Sequence, residues 1–160
     1  MTAIMVFTDG ACSNNGNNSA QGGWGAVLIN AQGQRLELAG PLSGDNQTSN
    51  RAELTAAIEG LSALKRPSSV ILTTDSRYVE QGCREWLPKW QSNGWKSSNG
   101  KPVKNQDLWQ QMAELLKLHT VELRWVRGHT GHPENERADT LATMGAAGKR
   151  IRRRSKRKAA

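Results

Sequence analysis

The order in which strand-like and helix-like segments follow one another constrains this chain most. Residues 3–8 and 24–30 are strand-length apolar segments and 34–39 alternates polar and apolar, the three separated by an Asn/Gly/Ser-rich loop and the turn Ala31-Gln32-Gly33. They follow closely enough to form an antiparallel meander. Thr48 or Ser49 then caps a helix with apolar positions Leu54, Ala57, Ile58, Leu61 and Leu64, bounded by Pro67. Val70 to Thr74 is a short β-branched strand, read as central and parallel to the first. A second helix begins at Asp75-Ser76 and runs to about Trp86. Pro88 to Lys104 is a polar excursion, and a third helix covers about Asn105 to Leu118. Residues 120–126 make a fifth strand. A glycine-containing loop, Gly128 to Pro133, leads into a last helix carrying Ala138, Leu141 and Ala142. The order β-β-β-α-β-α-α-β-α predicts an α/β fold, a five-stranded mixed sheet with helices on both faces.

Size and composition bound the class. A chain of 160 residues suits one domain with a substantial core. No apolar run approaches the roughly 18 residues that a membrane span needs, and the N-terminus has no basic region followed by a cleavage site. Two cysteines, Cys12 and Cys83, exclude a disulfide-dense scaffold and suit a reducing cytosol. A cytoplasmic monomer is the expectation. The net charge of +8 sits at one end. Residues 149–160 hold eight of the 22 Lys and Arg residues and no acid, so the remaining 14 bases balance the 14 acids. The division expected is a body over 1–147 and a basic, disordered tail over 148–160. Such a tail suits a polyanionic partner and would add nonspecific nucleic-acid contacts.

Four carboxylates stand out. Asp9 and Asp75 each follow a strand, and the crevice outside strand ends is where open α/β sheets bind ligands. Glu53 and Asp139 each adjoin the apolar stripe of a helix. Singly, Asp75 is a natural helix cap, Asp9-Gly10 a natural turn, and the other two ordinary solvated residues. Together, if both helices pack on the sheet, the four meet at the strand ends. Their mutual repulsion would then require divalent cations. Oxygen ligands select Mg²⁺ or Mn²⁺, and a pair of such ions suits in-line phosphoryl displacement.

Six segments carry a resemblance: 7–14 (FTDGACSN), 22–28 (GGWGAVL), 48–54 (TSNRAEL), 71–82 (ILTTDSRYVEQG), 94–109 (GWK…KPVKNQDLW) and 125–142 (WVRGHTGHPENERADTLA). In this colinear order the chain resembles bacterial type 1 ribonuclease H. The resemblance implies a ribonuclease H-like fold and an endoribonuclease that cuts the RNA strand of RNA/DNA hybrids, leaving 5′-phosphate and 3′-hydroxyl ends. It implies Asp9, Glu53, Asp75 and Asp139 as ligands of two Mg²⁺ ions, with Mn²⁺ a possible substitute. One ion would activate water and the other stabilise the leaving 3′-oxygen. The competing readings are a related nuclease of broader duplex specificity and a non-catalytic hybrid-binding module.

Further residues are candidates for proton transfer and substrate contact. His129, between glycines at 128 and 131, suits a mobile proton carrier, and the family's matching histidine assists proton transfer or product release. Lys89, Lys96, Lys101 and Lys104, interleaved with Trp86, Trp90 and Trp95 and free of acids over 86–104, suit phosphate contacts. Trp90 and Trp95 are expected to build this excursion, and Trp86 and Trp109 to touch nucleic acid. By the resemblance, Asn50, Gln81 and either Asn14 or Asn15 read 2′-hydroxyls or base edges, and Thr48 with Asn105 holds a DNA-strand phosphate. The chain departs from the family at a longer loop after Asp9, at Asn46 in place of an arginine, at the neutral Gln91-Ser92-Asn93, and at Arg77 and Leu123. Weaker binding of hybrid by the body, offset by the tail, is the expectation.

Overall fold

The computed structural model describes residues 3–13, 21–97, 99–128 and 131–156. Six strands make one mixed sheet: β1 (Ile4–Ser13), β2 (Gln21–Ile29), β3 (Gln34–Pro41), β4 (Ser69–Thr74), β5 (Thr120–Trp125) and β6 (Ile151–Lys156), in the order β5-β4-β1-β2-β3-β6. β1 runs parallel to β4 and β4 parallel to β5, while β1-β2-β3 is the expected antiparallel meander.

Strand alternation divides the core in two. Val6, Ala26, Leu28 and Leu38 point to one face, where they meet Leu54, Ala57, Ile58 and Leu61 of α1 (Ser49–Ser62). Beyond α1, α4 (Gln106–Leu118) adds Leu108, Trp109 and Met112 to the same core. Val27 and Ala39 point to the other face, against Ala138 and Leu141 of α5 (Pro133–Ala146). The mixed sheet with helices on both faces is thus present. Among the described residues no helix is long and apolar enough to cross a membrane.

Three sequence expectations are corrected. First, the tail is not disordered where it is described: Ile151–Lys156 pairs antiparallel with β3 as a sixth strand. Composition cannot reveal this, because the pairing uses backbone groups and needs few apolar side chains. Ile151 packs beneath α5, and Arg153 bonds Glu37, buried across the pair. Second, β1 and β2 run on through Ser13↔Gln21, so Asp9 lies inside a strand and not at its end. Third, the helical path after Asp75 continues beyond Trp86. α2 (Arg77–Gln81) passes through a π-type turn, Gly82–Trp86, into α3 (Leu87–Asn93). Pro88 stands at the start of α3, directly after the π-type turn.

Candidate active site

The site forms where β1 outruns β4. Thr8↔Thr74 is the last parallel pair, and Asp9 and Asp75 follow it side by side. Asp75 does not cap the helix after it. Ser76 does, accepting from Val79 N at 3.1 Å, which leaves the Asp75 carboxylate available. Its backbone carbonyl is held by Trp125 Nε1 at 3.0 Å.

Two glycines set the spacing of the helices. A Cβ on Gly10 would stand 2.4 Å from Glu53 N, so only glycine lets the start of α1 close on β1. A Cβ on Gly25, the residue paired with Asp9, would lie 2.5 Å from the Ala138 carbonyl and 2.6 Å from Ala142 N. α5 therefore rests backbone-to-backbone on β2, which carries Asp139 to the edge of Asp9.

Asp9, Glu53 and Asp75 each present an oxygen within 4.8 Å of the other two. Asp139 joins through a side-chain interaction with Asp9. Burial, reinforced by the Asp75 charge, pushes Asp9 up to about 8 against the pull of the Gly10 amide at 2.9 Å. Burial, then the charges of Asp9 and Asp75, hold Glu53 well above the usual carboxylate range. Glu53 Oε1 and Asp75 Oδ1 are enclosed and hydrogen-bonded to nothing among the described residues. Enclosed oxygens without donors, beside the raised Asp9 and Glu53 carboxyls, are the donor set that a hard divalent cation satisfies. A divalent cation fits these residues.

The other predicted residues are spread around this centre. Thr48 caps α1, accepting from Arg51 N at 3.1 Å. Asn105, in a left-handed conformation at φ 57°, opens α4, and its Nδ2 donates to Tyr78 Oη at 3.1 Å. Asn50 is exposed on α1; Gln81, half-buried, donates to Glu85 at 2.9 Å. Lys89, Lys96, Lys101 and Lys104 are all exposed. Tyr78, Trp86, Lys89, Trp90 and Lys104 help to line a cleft of about 430 Å³. Trp90 stacks with both Trp86 and Trp95, as expected of a residue that builds the excursion. Trp109 is a correction: it is fully buried and its Nε1 donates to Tyr78 Oη at 2.9 Å, so it supports the excursion and touches no solvent-borne strand. It is a wedge under the π-type turn, where Gly82 leaves room for the ring. His129, Asn14 and Asn15 lie outside the described residues. Burial raises Cys83 to about 12, which suits packing and not nucleophilic chemistry.

Sequence reasoning missed two residues. Arg51 bonds Asn105 Oδ1 at 3.1 Å and Asp107 at 3.0 and 2.6 Å, locking α1 to α4 beside Thr48. Tyr78 accepts from both Asn105 and Trp109. Only position could have signalled them: Arg51 follows the cap of α1, and Tyr78 lies one helical turn beyond Asp75. Arg77, one of the departures, lies 3.6 Å over the Trp125 ring.

Comparison with known proteins agrees with this geometry. The family model described as RNase H matches residues 1–147. The ribonuclease H of Thiobacillus denitrificans is 53% identical over 147 residues, covering 91% of this chain and 95% of that protein. That of Cupriavidus pinatubonensis is 50% identical, covering 92% and 97%. Among solved structures, LC9-RNase H1, a type 1 RNase H with the type 2 active-site motif, superposes at TM-score 0.81 and 32% identity, over 94% of this chain and 75% of that one. A foamy viral protease-reverse transcriptase in complex with RNA/DNA hybrid gives 0.75 and 26%, over 91% of this chain and 20% of that one. On its carboxylate centre, its fold and these relatives, the chain belongs to the RNase H family.

Proposed function

We propose that this chain is an endoribonuclease that hydrolyses the RNA strand of RNA/DNA hybrids by two-metal-ion phosphodiester cleavage, leaving 5′-phosphate and 3′-hydroxyl ends. The observation that carries the reading is the meeting of Asp9, Glu53 and Asp75 within 4.8 Å, with enclosed oxygens on Glu53 and Asp75 that have no donor among the described residues. Bound Mg²⁺, or Mn²⁺ in its place, would supply activation of water and stabilisation of the leaving oxygen. The chain's residues do the rest. Asp9, Glu53, Asp75 and Asp139 hold the ions and fix where the scissile phosphate sits. His129 carries a proton to or from the reacting oxygens. Asn50, Gln81 and one of Asn14 and Asn15 contact the sugar edges that distinguish RNA from DNA. Thr48 and Asn105 hold a DNA-strand phosphate, and Arg51, already shared between Asn105 and Asp107, orients Asn105 for it. Trp86 and the four lysines of the excursion grip the DNA strand. The same reading has the enzyme act as a cytoplasmic monomer.

The test is to incubate a labelled RNA/DNA hybrid, a duplex RNA and a duplex DNA with Mg²⁺ or with EDTA. Cleavage of the hybrid's RNA strand alone, with Mg²⁺ only, is expected. Equal cutting of all three would point to a broader nuclease, and binding without cutting to a non-catalytic module. Either result overturns the reading.

A further inference from the structure

The far end of the sheet carries a second feature. Between β6 and the C-terminal end of α1 lies a groove of about 580 Å³. Its floor is aliphatic, with Leu28, Leu36 and Leu64. One wall is β6. Arg152, Arg154 and Lys156 pair with Leu38, Leu36 and Gln34, so their side chains share the α1 face. Lys65 and Arg66, just past α1, form the opposite wall. All five cations are solvent-accessible, and among the described residues none has an ion-pair partner. Among the described residues no acid lines the groove.

The two faces of β6 do different work. Arg153 turns to the α5 side and is held at 3.3 Å by Glu37, which anchors the strand. The remaining cations have no such internal use. They recur at every second residue, a repeat of about 6.7 Å along a strand. A regular row of cations matches a regular row of anions in any register, and this favours a phosphodiester backbone over a peptide, whose acids must fall at particular positions. The aliphatic floor gives sugar and base faces a dry surface to rest on. Ile4, also lining the groove, is five residues before Asp9 on β1, about 17 Å away along the strand. The groove therefore lies apart from the carboxylates.

We propose that this groove is a second nucleic-acid site, one that binds a single-stranded segment independently of sequence. The proposal rests on the reading of the chain as a nucleic-acid hydrolase and extends it to a face that the carboxylate centre does not use.

The experiment follows the anisotropy of a labelled oligothymidylate, in EDTA, over a salt series. Three proteins are compared: the full chain, R152Q/R154Q/K156Q and K65Q/R66Q. Both variants keep Ile151 and Arg153, and equal melting temperatures confirm that β6 stays docked. The triple variant is expected to bind at least tenfold more weakly, with a salt slope smaller by about 2, and the double variant to lose about 1 from the slope. Native-like binding by K65Q/R66Q would overturn the proposal, because an unstructured basic tail would not need the α1 wall. Failure of the full chain to bind oligothymidylate, with tight capture of a peptide of alternating Asp and Leu through these five cations, would also overturn it, in favour of a protein partner. Cleavage of a blunt hybrid by the unaltered chain with Mg²⁺ is scored separately. Its absence would refute the hydrolase reading whatever the oligothymidylate does.

Discussion

At the scale of single residues, the carboxylate centre is a place where the fold accepts repulsion. Asp9 is 3% exposed and is pushed up to about 8 by burial and by Asp75. Replacing Asp9 with Asn removes a charge and almost no volume. Cleavage should fall by more than the roughly 10–100-fold that losing an outer partner of a metal ligand costs. Without divalent ions, the variant should melt no lower than the parent and higher by roughly 2–4 °C for each kcal/mol of repulsion relieved. Mg²⁺ should raise the melting temperature of the parent and not of D9N, a readout independent of activity. Retained cleavage would show that Asp9 is not a ligand. Glu37 is the opposite kind of buried acid. Arg137, at 2.8 and 2.9 Å, then Arg35, holds it down at about 2. A depressed folded value means stabilisation that is complete above the unfolded value of 4.5 and is lost as pH falls towards 2. E37Q should cost about 2 kcal/mol at neutral pH and flatten that part of the acid limb of a stability–pH curve. An unchanged limb would show that the cluster contributes nothing.

At the scale of elements, the site depends on helices held closer to the sheet than side chains normally allow. Gly25→Ala puts a methyl group against the backbone of α5 at Ala138 and Ala142. α5 must then move outward and take Asp139 with it. The expected cost is about 1–3 kcal/mol in stability, together with a higher Mg²⁺ concentration for half-maximal cleavage. A destabilised variant with normal Mg²⁺ dependence would separate packing from ligand placement. The excursion depends on Tyr78 in a similar way. Its hydroxyl accepts from Trp109, which is buried, and from Asn105. Tyr78→Phe leaves the Trp109 N–H with no acceptor, a loss of about 1–3 kcal/mol. It also leaves Asn105 Nδ2 without the Tyr78 acceptor, so KM for hybrid should rise more than kcat falls. An unchanged KM would remove Asn105 from substrate binding.

At the scale of the whole molecule, periodicity and motif spacing made most of the architecture readable. The meander, the parallel pair β1 and β4, and the helix carrying Glu53 all follow from alternation and caps. Convergence of the carboxylates was expected but needed the close helix approaches at Gly10 and Gly25, which no local pattern announces. The burial of Trp109 was illegible because a tryptophan in an apolar helix stripe reads the same whether it faces a core or a groove. β6 was hidden because the signals of a disordered tail, high charge and few apolar residues, are also those of a guarded edge strand. That strand changes what removing the tail can mean. Cutting 149–160 takes away charge, but it also exposes the edge of β3, uncovers Leu36 and Leu38, and leaves Glu37 without Arg153. Truncation should therefore lower the melting temperature, shift the acid limb governed by Glu37, and increase self-association through the freed edge. These changes should appear in sedimentation and thermal melts at any salt concentration. R152Q/R154Q/K156Q should show none of them and should respond only where salt competes for polyanions. If truncation and neutralisation prove indistinguishable in stability, β6 does not hold β3, and residues 151–156 act through their charge alone.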